Sequence, residues 1–249
     1  MNFLVQKIDG EIKHDFAFEI IQAKEYYDWL GDEEYEITYA DDKVPELARP
    51  DKYIPIGSVD FVLEFAQKYY PRATKGLLPM NVPEVLFDEA RRWIINVEKP
   101  WDLNDLDKAY IEKIGRVYRK SLTRIKSEFN GLVEYRGIDD VLEFQISEEI
   151  PIDSEWRVFV FNEEVLHVSN YSGDPLLFPD KSAILYMIQI LNESGTAPKA
   201  YTLDVGVHGI NTFVIECHRF FSCGLYGFND HLRIPKMFSQ EWNEIKRLQ

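Results

Sequence analysis

Apolar and polar positions alternate with two different periods along this chain, and the change of period divides it. Phe3-Leu-Val-Gln and Glu36-Ile-Thr-Tyr alternate as strands, while Phe18 to Leu30 and Asp60 to Tyr70 repeat their apolar residues as amphipathic helices. Gly57-Ser58 opens the second helix and Pro71 closes it. Strands interleaved with helices predict an α/β layer. Gly76, Pro79, Asn81 and Pro83 then cluster as a linker, so residues 1–83 are expected to form a first, small α/β domain and 84–249 a second.

After a helix expected over Val85 to Trp93, strands follow in quick succession: Arg116 to Lys120, Leu132 to Arg136, Glu143 to Ser147, Glu155 to Phe161 and Val165 to Asn170. Asn162-Glu163-Glu164 makes a hairpin of the last two. Lys181 to Asn192 reads as an apolar helix ended by Ser194-Gly195, and a helical patch around Trp242 closes the chain. The fold class is therefore α+β, with antiparallel sheets in the second half.

The segment from Tyr201 to His218 reads as a further hairpin around Gly209 and Asn211, and it places charge where strands avoid it. With pairing centred on Ile210, Asp204 faces Glu216, and Thr202, Asp204 and Gly206 share a face with Val214, Glu216 and His218. Two carboxylates directly opposite each other repel unless something sits between them. A divalent cation with oxygen ligands is the simplest such thing, and His218 is positioned to join it.

Composition narrows the class. The chain has 249 residues, 43 acidic against 28 basic, and a formal charge of −15. That balance argues against wrapping a nucleic-acid backbone, since such binding draws on basic surface. Apolar runs fall short of a membrane span and the N-terminus lacks a signal-peptide core, so no membrane partner and a cytoplasmic location are expected. Two cysteines, Cys217 and Cys223, suggest a reducing compartment; a Cys-His plus Cys metal site is the other reading of them. Apart from His218, the histidines His14, His167, His208 and His231 show no nucleophile-activating pattern.

Against this acidic background, Lys113, Arg116, Arg119, Lys120, Arg124 and Lys126 form a run without an acid between them. Arg116, Tyr118 and Lys120 share a strand face. Such a cluster suits a polyphosphate, or is a solvated basic face. Arg157 projects from the apolar strand Glu155 to Phe161, where it meets either an anionic ligand or a carboxylate such as Glu155. Ser147-Glu-Glu-Ile-Pro-Ile-Asp is extended, and either borders an adenine and ribose or crosses between lobes. Phe220-Phe-Ser-Cys-Gly-Leu-Tyr-Gly-Phe lines an acceptor pocket or joins the core.

In order, Val117-Tyr-Arg-Lys with Arg124-Ile-Lys, Ser147-Glu-Glu-Ile-Pro-Ile, Ser154-Glu-Trp-Arg-Val-Phe-Val, Asn170-Tyr-Ser-Gly-Asp, Tyr201-Thr-Leu-Asp-Val-Gly-Val and Val214-Ile-Glu-Cys-His resemble the ATP-grasp superfamily. The resemblance is to a phage-rich branch marked by one arginine and two lysines. It implies an ATP-grasp fold, two α+β lobes clamping a nucleotide, preceded by the small α/β domain. It implies that Lys120 and Lys126 contact ATP phosphates, that Arg157 steadies the phosphates or an acyl phosphate, and that Glu148, Glu149 and Ile150 border adenine and ribose. Asp204 and Glu216 match the ligands of Mg2+, with Glu216 bridging two ions. His218 stands where the family has Asn, and its softer nitrogen favours Mn2+. The implied activity joins a carboxylate to an amine, or a thiol, on a peptide, protein or small amino acid, through an acyl phosphate with release of ADP and phosphate. His218 leaves open an alternative: a nucleotide-binding or inhibitory phage factor that keeps the fold without ligation. For a phage-encoded chain the location is the host cytoplasm.

Overall fold

A computed structural model describes residues 2–31, 35–124 and 128–247. They divide into two compact units, one of residues 1–77, 198–201 and 219–249, the other of residues 78–197 and 202–218.

The first unit holds a parallel sheet in the order β2-β1-β3, from β1 (Asn2–Gln6), β2 (Glu36–Ala40) and β3 (Tyr53–Ile56). Pro55 is tolerated in β3 because β3 is an edge strand. Helix α1 (Asp15–Leu30) supplies the crossover between β1 and β2, and α2 (Val59–Tyr69) follows β3. Ser58 caps α2 by accepting from the Phe61 N–H at 3.1 Å. An aromatic core closes the unit: Phe65 meets Trp242 at 5.7 Å and Phe220 meets Phe238 at 4.7 Å between ring centroids. Phe220, Phe221, Cys223, Leu225 and Phe228 are all buried, so this segment is core.

The second unit contains two four-stranded sheets. One, antiparallel and ordered β4-β7-β5-β6, is built from β4 (Ile94–Val97), β5 (Arg116–Ser121), β6 (Gly131–Glu134) and β7 (Phe144–Ser147). Ile111 of α3 (Asp105–Ile114) and the strand residues Val97, Val117 and Ile146 form its core. The other, ordered β11-β10-β8-β9, is built from β8 (Ser154–Phe161), β9 (Glu164–Gly173), β10 (Ala200–His208) and β11 (Asn211–Arg219). Asn162 and Glu163 turn β8 into β9 at φ +47° and +70°. The β10–β11 turn is Gly209-Ile210, one position short of the centring expected. Helix α4 (Lys181–Glu193) buries Ile184, Met187, Ile188 and Leu191; α5 (Ile234–Arg247) belongs to the first unit.

The helix expected over Val85 to Trp93 does not form. Two single 3-10 turns, Glu84–Leu86 and Asp88–Ala90, stand there, and Arg91 adopts φ +51°. The physical reason is that this stretch lies along β11: Arg91 donates to Asn211 at 2.6 Å, and Arg92 donates to the carbonyls of Val214 and Ile215 at 2.9 and 3.3 Å. It occupies backbone groups that an edge strand otherwise leaves open. No helix among the described residues is long and apolar enough to cross a membrane.

Candidate active site

A cavity of about 270 Å³ lies in the second unit, lined among others by Arg92, Tyr118, Lys120, Gln145, Glu148 to Ile150 and Glu155. Each lining residue has a backbone reason to be there. Tyr118 and Lys120 alternate to one face of β5, with Ser147 and Gln145 opposite them in register on β7. Glu148, Glu149 and Ile150 leave the end of β7, which puts the expected adenine and ribose border on the cavity wall.

Lys120 and Glu216 form an ion pair. Arg157 and Asp204 form another, bidentate, with Nε donating to Oδ1 at 2.8 Å and a terminal nitrogen to Oδ2 at 2.7 Å. Arg157 therefore takes a carboxylate partner on the neighbouring strand, not Glu155; Glu155 accepts from the Tyr171 hydroxyl at 2.8 Å. The Arg157 guanidinium also stacks 5.6 Å from the Tyr171 ring centroid. Burial, with Asp204 and Glu155 nearby, pushes the Tyr171 phenol well above its ordinary range, so it stays a proton donor.

The opposed acids of the hairpin converge. Ligand atoms of Asp204, Glu216 and His218 lie within 4.8 Å of one another, and His218 Nε2 is 2.9 Å from Glu216 Oε1. Burial by itself raises the Glu216 carboxyl, but His218 and Lys120 outweigh it and hold it well below the usual carboxylate range. Glu216 is thus an anion throughout ordinary pH. Two carboxylates and one imidazole at this separation fit a divalent cation of intermediate hardness, Mg2+ through the oxygens and Mn2+ through all three.

The other cations divide their work. Arg116 pairs with Glu149 at 2.6 Å on the surface. Arg119 donates to the carbonyls of Phe129 and Asp140, both at 2.7 Å, and is spent on holding its own loop. Lys126 lies outside the described residues. Glu148 accepts from the Trp93 N–H at 2.9 Å and from the Tyr110 hydroxyl, which anchors the cavity rim. Arg92 had no signal in the sequence, its neighbours suggesting a helix. Burial pulls its guanidinium down to about 10, against Glu148 and Glu216, so it remains charged at neutral pH beside the cavity. Gln145 and Glu155 are further lining residues that residue type alone did not mark.

A family model for the ATP-grasp domain, family 2 of the clade marked by one arginine and two lysines, matches residues 92–234, more than half of the 249 positions. The chain belongs to this ATP-grasp family. Solved ATP-grasp structures extend the likeness to nearly the whole chain. D-alanine--D-alanine ligase from Bacillus anthracis is 12% identical with a TM-score of 0.53, covering 99% of both chains. D-cycloserine synthetase DcsG is 8% identical with a TM-score of 0.55 over 100% of each. The ATP-grasp ligase PsnB, complexed with minimal precursor, Mg and ADP, is 10% identical with a TM-score of 0.53, covering 96% of this chain and 97% of that one. At such identities the likeness establishes the ATP-grasp fold. No curated protein matches the chain.

Proposed function

We propose that this ATP-grasp protein is an ATP-dependent ligase that activates a carboxylate and joins it to an amine, or a thiol, on a peptide, protein or small amino-acid-like substrate. The observation that carries the reading is the pairing of Lys120 with Glu216 and of Arg157 with Asp204 beside the cavity. Two cations suited to phosphate are held by two carboxylates suited to metal. Metal-bound ATP offers each a partner of opposite sign, so exchange of partners conserves the charge balance of a largely buried site.

In this reading Lys120, Lys126 and Arg157 bind and orient the phosphates, and Glu148, Glu149 and Ile150 border adenine and ribose. Asp204, Glu216 and His218 would hold one or two divalent ions, Mg2+ or Mn2+. The ions supply Lewis-acid neutralisation of phosphate charge. A substrate carboxylate oxygen attacks the γ-phosphorus and ADP leaves. The amine nitrogen then attacks the carbonyl carbon of the acyl phosphate, phosphate leaves, and the amine gives up a proton. Positioning and charge neutralisation suffice for such phosphoryl transfer, so no protein nucleophile is required. Residues 1–83 are proposed as the domain that precedes the ATP-grasp portion, 84–249, and helps select the acceptor. The likeness to PsnB, a ligase solved with a minimal precursor, Mg and ADP together, favours a peptide substrate.

The test is ADP release with Mg2+ or Mn2+ across a panel of carboxylate and amine pairs, repeated with Glu216→Gln and Lys120→Ala. Turnover that both substitutions abolish is expected; turnover unaffected by either overturns the residue roles. His218 supports one second reading, a nucleotide-binding module without ligation. Tight metal-dependent ATP binding with no ADP formed on any pair would favour it.

A further inference from the structure

The stretch between Leu78 and Pro83 has the composition of a passive linker, yet Asn81 and Val82 are buried, with 6% and 1% of their surface exposed. Within the second unit they bond to both sheets. Asn81 donates its side-chain amide to the Ser121 carbonyl at 2.9 Å, one residue beyond Lys120 on β5. Its own carbonyl accepts the Cys217 N–H at 2.6 Å, between Glu216 and His218 on β11. Val82 reinforces the first attachment: its N–H donates to Gln145 Oε1 at 3.0 Å and its carbonyl accepts from Gln145 Nε2 at 2.8 Å. Gln145 is the register partner of Lys120.

We propose that Asn81 is a positioning residue that sets Lys120 against Glu216. It acts through the backbone next to each of them, and this role rests on the proposed nucleotide site. A buried amide whose donor and carbonyl are both used fixes a distance, because losing either bond leaves a buried polar group unsatisfied. The backbone at Asn81 has φ +49°, a left-handed conformation that asparagine tolerates. The other residues crossing from this stretch to β11, Arg91 and Arg92, reach Asn211, Val214 and Ile215 and leave the Glu216 to His218 end to Asn81.

Asn81→Gly tests this cleanly: it suits φ +49°, keeps the backbone bond to Cys217 and removes only the bond to Ser121. Binding of Mn2+ with a non-hydrolysable ATP analogue is measured by calorimetry for the wild type, N81G, K120A and the double variant. N81G is expected to weaken binding about tenfold when Lys120 is present and less than about twofold in the K120A background, since residues acting through one contact are not additive. Asn81→Asp, which keeps the shape but opposes a carboxylate oxygen to the Ser121 carbonyl, is expected to show the same pattern. Equal losses in both backgrounds would make Asn81 a general stabiliser and overturn the proposal, as would no loss at all. Failure of the wild type to bind the analogue identifies a different fault, removing the nucleotide site and with it the role that depends on it.

Discussion

Replacing Arg157 by Met leaves Asp204 with its charge and without its guanidinium, in a position where only 1% of the Asp204 side chain is exposed. With charge centres about 4 Å apart and an effective dielectric near 20, the attraction is worth about 4 kcal/mol. Breaking one side of a buried pair costs about 3–5 kcal/mol, because the remaining charge stays desolvated. Arg157→Met is therefore expected to lower unfolding stability by that amount in urea titrations followed by tryptophan fluorescence, with Trp156 as the adjacent reporter. The double change Arg157→Met with Asp204→Leu removes both charges and is expected to cost less than R157M alone. Mn2+ at about one hundred times its Kd is expected to return about 2.7 kcal/mol to R157M, which keeps Asp204, Glu216 and His218. It is expected to return far less to the double variant. A single-variant loss below about 1 kcal/mol, or a double variant less stable than R157M, would refute the claim that the two charges depend on each other.

Glu241, wholly buried, bonds to Arg219 and to the Ala200 N–H; burial, outweighing both, holds its carboxyl above the usual range. A raised pKa means its contribution is complete below the unfolded value of about 4.3 and is lost as pH rises through the folded one. Wild type should thus gain on Glu241→Gln as pH falls from about 7 towards that value; a constant or widening deficit in urea midpoints would contradict this. Gly206→Ala would put a Cβ 2.5 Å from the Phe213 ring and 3.3 Å from Ile152. A stability loss of about 1–3 kcal/mol is expected, and a neutral effect would show that the hairpin yields. His218→Asn exchanges a nitrogen ligand for an amide oxygen and is expected to shift metal preference from Mn2+ towards Mg2+. An unchanged ratio of the two affinities would remove His218 from the metal site.

What could be read from residues alone was set by how local the signal is. Alternation identified β1, β2 and β5 to β11, and turn chemistry identified the hairpins at Asn162-Glu163 and Gly209-Ile210. Helix α3 escaped because its charged surface hides its period, although Asn104 and Asp107 make a capping box and Gly115 closes it at φ +76°. β4 escaped as a short run behind a false helix, and β3 as a run broken by Pro55. The hairpin face announced Asp204, Glu216 and His218 through repulsion, a property of neighbours. The partner of Arg157 lies 47 positions away and that of Lys120 lies 96 away. No pattern along the chain specifies such pairs; the strand order β11-β10-β8-β9 brings Arg157 beside Asp204. For the same reason the run from Lys113 to Lys126 suggested a common purpose, whereas Arg116 and Arg119 serve Glu149 and a loop.

The central claim is that the charges now paired with each other are the ones that take ATP and metal. It is tested most directly by calorimetric titration of ATP into the wild type and Glu216→Gln, each with and without Mg2+. Binding that requires the metal in the wild type and loses that requirement, together with most of its affinity, in E216Q is the predicted result. Absence of nucleotide binding, or the same metal-dependent affinity in both proteins, would contradict it.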